Sequence, residues 1–354
     1  MKNELPGNQR LVPALLLGLF ANVLLNGQAA YWSRTALLTA LPAIALLGGF
    51  SLLFMWGWNQ LDGHRLGRLA EVVFALILLA SAALEALRLN ALYQATYPGA
   101  TMLLGICLAV VLPGIYLRRA SSLAQTGNVI LALVFAGCLF MVVTVAGRLQ
   151  ITNLQLPAVS AHELQSAAGA QLTLYPEYLL PALWYTAAGH QGNGAKTCFK
   201  LAGWAILFGT GINLILELFF GAALPQMENP VHTAARCGAI SIFNRLEWMQ
   251  LVLWTMAIVV KLALYLYAMV QLLAHAPRRG EDGQGQTVPL PAVAGYLAAV
   301  ALLAALLQRT DGQALEAAQN AALWLLAAAV TVVGGVQWIV QQMRQGTGPK
   351  SERA

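Results

Sequence analysis

The sequence predicts an all-α polytopic membrane protein with about ten transmembrane helices. Hydrophobic residues make up 59% of the 354 residues, charged residues make up 10%, and the mean hydropathy is +0.66. A soluble domain carries roughly 25% charged residues. The charged residues lie mainly in short segments between long apolar runs. The formal net charge of +6 therefore does not indicate nucleic-acid binding, which needs a clustered basic patch.

Ten apolar segments are long enough to cross a membrane, since a crossing helix needs ~20 residues. We number them spans one to ten, and they cover approximately residues 11–31, 36–58, 69–89, 99–117, 127–147, 171–189, 201–223, 246–274, 288–307 and 319–341. Residues 1–341 are predicted to form a single membrane domain, and residues 342–354 a polar cytoplasmic tail. The N-terminus shows no cleavable signal pattern, so we expect span one to remain uncleaved.

The distribution of basic residues predicts that both termini lie in the cytoplasm. With the N-terminus inside, the inner segments carry 13 lysine and arginine residues and the outer ends carry 6. An excess of basic residues in short loops marks the cytoplasmic side. The even number of spans agrees with this orientation.

Spans one and six contain residues that interrupt a helix. Span one holds Asn22 and the run at 26–28, and span six holds Pro176 and Pro181 on either side of Glu177. Irregular backbone at membrane depth is tolerated only around a buried site or a cavity. Broken helices at corresponding positions of two five-span halves indicate the binding site of inverted-repeat transporters. We predict that both spans are discontinuous; the alternatives are a straight span one that ends at 26–28 and a Glu177 that faces water.

Spans three and eight carry charged residues within apolar sequence. Glu85 and Arg88 are three residues apart in span three and pair on one helix face, either as part of a site or as a pair near the outer surface. In span eight, Glu247, Trp254 and Lys261 recur every seven residues and share one face. A lysine within a span needs a partner or a cavity. We predict that the Lys261 ammonium faces the bundle interior, with snorkelling to the inner surface as the alternative.

The segment from 224 to 267 resembles the spore germination permeases, which are the membrane B subunits of nutrient germinant receptors. These proteins belong to the amino acid–polyamine–organocation transporter superfamily. The resemblance is carried by a proline, an arginine six residues later, an Arg-Leu-Glu run, a tryptophan and a lysine, here Pro230, Arg236, Arg245, Leu246, Glu247, Trp254 and Lys261. It implies a 5+5 inverted-repeat bundle, like that of amino-acid permeases, with broken spans one and six.

The resemblance also implies a function. We expect a germinant receptor subunit in the inner membrane of the spore that senses a small nutrient, of which an amino acid is the best match. It would signal to a soluble-domain membrane subunit and a lipoprotein subunit of the same receptor. A proton-coupled amino-acid permease on the same scaffold is the alternative. Besides the nutrient and the partner subunits, we expect the protein to contact membrane lipid, and we expect no nucleic-acid partner.

We expect no enzymatic activity, no metal and no cofactor. The four cysteines, Cys107, Cys138, Cys198 and Cys237, are not spaced as a metal site or a disulfide framework. A haem-binding membrane anchor is disfavoured because the spans lack paired histidines.

The candidate ligand-binding residues lie on spans one, three, six and eight, and they are Ala21, Asn22, Glu85, Tyr175, Pro176, Glu177 and Trp254. The candidate structural or coupling residues are Arg245, Glu247 and Lys261.

The predicted topology places Gly283 inside and Ser160 outside. Single cysteines introduced as Gly283→Cys and Ser160→Cys, with the native cysteines replaced, should therefore react with an impermeant thiol reagent from opposite sides of the membrane. The measurement compares labelling in intact cells with labelling in inverted vesicles. Labelling of both positions from the same side would contradict the topology.

Overall fold

The computed structural model describes residues 11–24, 36–96, 117, 119–154, 160–187, 194–227, 229–238, 247–273 and 288–346. This part of the chain is helical and contains no strand. Its α-helices in chain order are α1 (Val12–Leu24), α2 (Ala36–Leu61), α3 (Arg65–Thr96), α4 (Ala120–Val145), α5 (Ala161–Gln171), α6 (Pro176–Ala187), α7 (Gly194–Phe220), α8 (Pro230–Cys237), α9 (Glu247–Leu273), α10 (Leu290–Leu307) and α11 (Gly312–Gly346).

Seven of these helices are long and apolar enough to cross a membrane, namely α2, α3, α4, α7, α9, α10 and α11. Helix α1 is also apolar but has 13 residues. The protein is therefore a multi-pass membrane protein, as its composition predicted. Of the predicted fourth span, 99–117, only Leu117 belongs to the described residues. The total of ten spans stays a prediction.

Several helices begin or end away from the predicted limits. Helix α3 continues to Thr96, past the predicted end at 89, so Glu85 lies well inside it. Helix α11 begins at Gly312, before the predicted start at 319, and continues to Gly346, within the segment predicted as a tail. Span one was also predicted to be interrupted. Asn22 does not interrupt it, because Asn22 lies within the helix Val12–Leu24. Residues 26–28, the other part of the predicted interruption, lie outside the described part of the chain.

Helix α6 forms most of the described part of the predicted sixth span, 171–189, and helix α5 reaches only its first residue. Helix α5 ends at Gln171, residues 172–175 are not helical, and α6 begins at Pro176. A proline is well suited to the first position of a helix because its missing N–H would have no partner there. Pro181, in contrast, lies inside α6, and the helix continues through it. The interruption therefore precedes Pro176 and does not involve Pro181.

Helices α1 and α9 occupy the centre of the described bundle. Helix α1 contacts α4, α6, α7 and α9, and α9 also contacts α3 and α4. In the apolar part of α9, 78% of the residues are buried, against 22% in α4 and 28% in α10. A helix that is apolar on all sides and buried belongs to the core. Helices α4 and α10 lie at the periphery, and their exposed leucine and valine side chains suit contact with lipid.

Helices α2 and α11 cross at a pair of glycines. A Cβ atom added to Gly334 would lie 2.6 Å from the Cα of Gly57, and one added to Gly57 would lie 2.7 Å from the carbonyl oxygen of Val330. Small residues permit such close approach of helices in membranes. The crossing fixes the second half of α11 against α2.

Gly334→Ala should lower the thermal unfolding midpoint of the purified protein, whereas Gly335→Ala should not. The methyl group at 334 would meet backbone atoms, which have no freedom to move aside, and such overpacking costs about 1–3 kcal/mol. A Cβ atom at Gly335 would meet only the ring of Trp56, at 3.8 Å. Equal midpoints for the two variants in detergent would contradict the close crossing.

Candidate functional site

The ammonium group of Lys261 is fully buried, with 0% of the residue exposed. It pairs with Glu85 Oε1 at 2.8 Å and lies 3.4 Å from Glu177 Oε1. It also donates a hydrogen bond to Oδ1 of Asn22. An ammonium group has three hydrogen-bond donors, and these three acceptors match them. The predicted burial of Lys261 against an acidic partner is confirmed, and the snorkelling alternative is wrong.

These four residues come from four different helices. Asn22 lies on α1, Glu85 on α3, Glu177 on α6 and Lys261 on α9. We call them the Lys261 cluster. Because a single ammonium group connects all four helices, a shift of any one of them changes at least one contact of the cluster. Residue spacing along a single helix predicts none of these contacts, since each joins residues far apart in sequence.

Glu177 packs against α1 at a glycine. A Cβ atom added to Gly18 would lie 2.8 Å from Glu177 Oε1. Gly18 and Asn22 are four residues apart and share one face of α1, and Asn22 Nδ2 donates to Glu177 Oε2 at 3.3 Å. Tyr265, one turn after Lys261, donates its hydroxyl proton to Glu177 Oε1 at 2.8 Å. Glu177 is 0% exposed, so the alternative in which it faces water is wrong.

The predicted pair of Glu85 and Arg88 is present on α3. An Nη of Arg88 donates to Glu85 Oε1 at 2.7 Å, and its Nε donates to Glu316 Oε1 on α11 at 2.8 Å. The Glu85 side chain is 1% exposed, so the alternative of a pair at the outer surface is wrong. The longer α3 explains this, because Glu85 lies more than two turns before the helix ends.

The buried charges nearly balance. Lys261 and Arg88 offset Glu85 and Glu177, and Glu316 adds a carboxylate that is 19% exposed. Removing one partner of a buried pair is costly because the other charge stays desolvated. One acceptor remains open, since Oε2 of Glu85 is buried and receives no hydrogen bond from the described residues.

A small cavity lies beside the interruption between α5 and α6. Its volume is about 20 Å³, which is room for about one water molecule. Gln171 at its edge accepts a hydrogen bond from Thr39 at 2.9 Å. Any larger ligand therefore requires the surrounding helices to move. The lining residues are Leu19, Val23, Ala170, Gln171, Tyr175, Tyr178, Ala205 and Ile206.

The other candidate ligand-binding residues are distributed over different places. Tyr175 lines this cavity, and Pro176 begins α6 directly after it. Ala21 is buried on α1, next to Asn22. Trp254 is buried but lines a second cavity, between α4, α8 and α9. The structure therefore does not bring Trp254 into the Lys261 cluster.

Of the candidate coupling residues, only Lys261 has a described environment. Glu247 is the first residue of α9, and Arg245 lies outside the residues that the structure describes. The roles of all three residues stay predictions.

A family model described as a spore germination protein matches residues 58–276. The match covers more than half of the 354 residues and includes Glu85, Glu177 and Lys261. The chain belongs to the spore germination protein family. The resemblance noted in the sequence is thereby confirmed. The search of curated proteins found no match.

The sequence analysis did not predict three residues that contact the Lys261 cluster or its partner Arg88, namely Gly18, Tyr265 and Glu316. Gly18 and Tyr265 each lie four residues from a cluster member on the same helix, so spacing from Asn22 and Lys261 would have found them. No comparable spacing along a helix pointed to Glu316. It precedes the predicted start of span ten, and only its partner Arg88 shows that it belongs here.

Lys261→Met should strongly destabilise the protein, because it leaves Glu85 and Glu177 buried without their ammonium partner. Breaking a buried pair costs about 3–5 kcal/mol. Lys261→Arg, which keeps the positive charge, should lose less stability than Lys261→Met. Adding Glu177→Gln to Lys261→Met should restore part of the loss, because it removes one of the uncompensated charges.

The measurement is the amount of membrane-inserted protein together with its thermal unfolding midpoint in detergent. A wild-type midpoint for Lys261→Met alone would contradict the role assigned to the ion pairs. A double variant no more stable than Lys261→Met would show that the loss has another cause.

Proposed function

We propose that this protein is the membrane subunit of a nutrient germinant receptor, which senses a small amino acid and signals to partner subunits. The observation that carries the proposal is the Lys261 cluster. It joins α1, α3, α6 and α9 beside the interruption between α5 and α6. Replacing a buried ion pair with packed apolar residues is often neutral or stabilising. Such a cluster therefore favours a role in binding or conformational change over one in stability alone.

The chemistry around the interruption suits a zwitterion. Oε2 of Glu85 accepts no hydrogen bond from the described residues, and a carboxylate oxygen is the natural acceptor for an α-ammonium group. Helix α6 begins at Pro176, next to Glu177 of the cluster, and helix N-termini favour negative charge such as a carboxylate. The cavity lined by Tyr175 and Gln171 lies directly before that N-terminus.

Sensing requires two conformers that bind the ligand differently. The conformer described has a cavity of about 20 Å³, too small for an amino acid, so the ligand would select a more open one. A ligand shifts such an equilibrium only by its differential affinity for the two states. Movement of α6 against α1 would alter the contacts of Glu177 with Asn22 and Lys261. Partner subunits, a soluble-domain membrane subunit and a lipoprotein, would then read the changed bundle surface in the spore inner membrane.

The second candidate function is a proton-coupled amino-acid permease. The open Oε2 atom of Glu85 favours it, because a carboxyl group that carries a proton during a transport cycle needs a free oxygen to receive it. Neither function involves an enzymatic step or a cofactor.

An amino-acid ligand should raise the thermal unfolding midpoint of the purified protein when the twenty amino acids are tested in turn. Ligand at 100 times Kd adds about 2.7 kcal/mol of stability. Gly18→Ala should abolish the shift, because the new methyl group would displace the Glu177 carboxylate. A Cβ atom at position 18 would lie 2.8 Å from Glu177 Oε1. Gly295→Ala is the matched control, since a Cβ atom there meets nothing within 4 Å.

Each variant is compared with its own midpoint without ligand.

A second experiment, with protein reconstituted into vesicles and labelled ligand, separates the two functions. Uptake that depends on a pH gradient would favour the permease, and binding without uptake would favour the receptor. The absence of a shift with all twenty amino acids would contradict both.

A further inference from the structure

We propose that the first half of α11 is a clamp that holds the α5–α6 interruption and the Lys261 cluster in the closed conformer. Glu316 and Asn320 are its positioning residues. The inference rests on the proposed function in one respect, namely that the interruption forms part of the ligand site. The family match ends at residue 276, before α11 begins, so it assigns no role to these residues.

The clamp is a row of polar side chains on one face of α11. Glu316, Gln319 and Asn320 are spaced three and four residues apart, which places them on the same side of the helix. Glu316 accepts from Arg88 Nε at 2.8 Å, and Gln319 donates to the hydroxyl of Ser81 at 2.8 Å. Both of these partners lie on α3. The row therefore fixes α11 along α3.

The third contact of the row reaches the interruption itself. Asn320 Oδ1 accepts a hydrogen bond from the backbone N–H of Leu174 at 2.8 Å. Leu174 lies in the non-helical segment 172–175 and is 1% exposed. A buried backbone N–H needs an acceptor, and here a side chain from another helix supplies it. The segment therefore moves away from α11 only by losing that hydrogen bond.

The same face of α11 also reaches the Lys261 cluster through Arg88. The contacts run from Glu316 to Arg88 at 2.8 Å, from Arg88 to Glu85 at 2.7 Å, and from Glu85 to Lys261 at 2.8 Å. The second half of α11 is fixed against α2 at the crossing of Gly334 and Gly57. Helix α11 is thus the support against which the segment 172–175 and the cluster are held.

Opening the cavity for a ligand breaks at least one clamp contact. A weakened clamp should therefore populate the open conformer without ligand. A ligand that binds only the open conformer gains apparent affinity in proportion to that population.

The test measures how fast a cysteine at Tyr175→Cys reacts with a small polar thiol reagent, in detergent and without ligand. The native cysteines are replaced in all variants. Asn320→Leu removes the acceptor of the Leu174 N–H and should accelerate labelling about fivefold, the factor that corresponds to one hydrogen bond. Asn320→Asp keeps an acceptor oxygen for the Leu174 N–H and should therefore label more slowly than Asn320→Leu. Gln313→Ala, on the exposed first turn of α11, is the control and should leave the rate unchanged.

A second reporter separates opening of the clamp from general loosening. Thr144→Cys lines the other cavity, between α4, α8 and α9, and its labelling rate should stay the same in every clamp variant. An equal acceleration at both reporters would show a merely structural role for Asn320 and overturn the proposal. Unchanged labelling of Tyr175→Cys in Asn320→Leu would also overturn it.

Glu316→Gln is the second variant should Asn320→Leu not accumulate in the membrane. It keeps the size of the side chain and weakens the contact with Arg88, so it should accelerate labelling of Tyr175→Cys as well. Wild-type labelling in folded Glu316→Gln would overturn the proposal. Since no ligand is present, a failure of amino-acid binding would refute the proposed function without changing these rates. Unchanged rates with intact amino-acid binding would refute the clamp alone.

Discussion

The structure depends on one buried ammonium group. Lys261 has no exposed surface, and neither lipid nor apolar side chains offer an acceptor for its three donors. The bundle must therefore bring acceptors to it, and it does so from α1, α3 and α6. This requirement explains the glycine at position 18, which lets Glu177 approach α1, and the tyrosine at 265, whose hydroxyl supports the same carboxylate.

The interruption between α5 and α6 poses the related problem of unsatisfied backbone groups. Buried backbone N–H and C=O groups need hydrogen-bond partners. Within the segment, the Thr173 hydroxyl donates to the Ala170 carbonyl, and the N–H of Tyr178 donates to the Tyr175 carbonyl. The N–H of Leu174 is satisfied from outside the segment, by Asn320. Helix α11 therefore contributes to the stability of the interruption, which ties a local irregularity to a distant helix.

The sequence predicted those features that have a local cause. Composition gives the membrane class, a lone lysine in apolar sequence predicts burial with a partner, and the spacing of Glu85 and Arg88 predicts their pair. It did not predict that Glu85 and Glu177 converge on Lys261, because no local pattern connects residues on separate helices. Glu217 shows the same limit. Its position near the end of an apolar run favours the membrane surface, yet it is 3% exposed. The chain continues there from α7 into a short 3₁₀ helix at 221–226.

A cluster of buried charges and a glycine crossing place opposite demands on the bundle, and together they suit a switch between discrete conformers. At the crossing of α2 and α11, packed backbone atoms leave no room for small displacements, so that part of the bundle stays fixed. At the Lys261 cluster, a small displacement separates charges in a medium of low dielectric constant, where each lost contact is expensive. Intermediate positions of α6 are therefore unfavourable, and a new position becomes stable only where the carboxylates find other partners. Under the proposed function, an amino-acid ligand, which carries both an ammonium and a carboxylate group, would supply such partners at the moment at which the original contacts break.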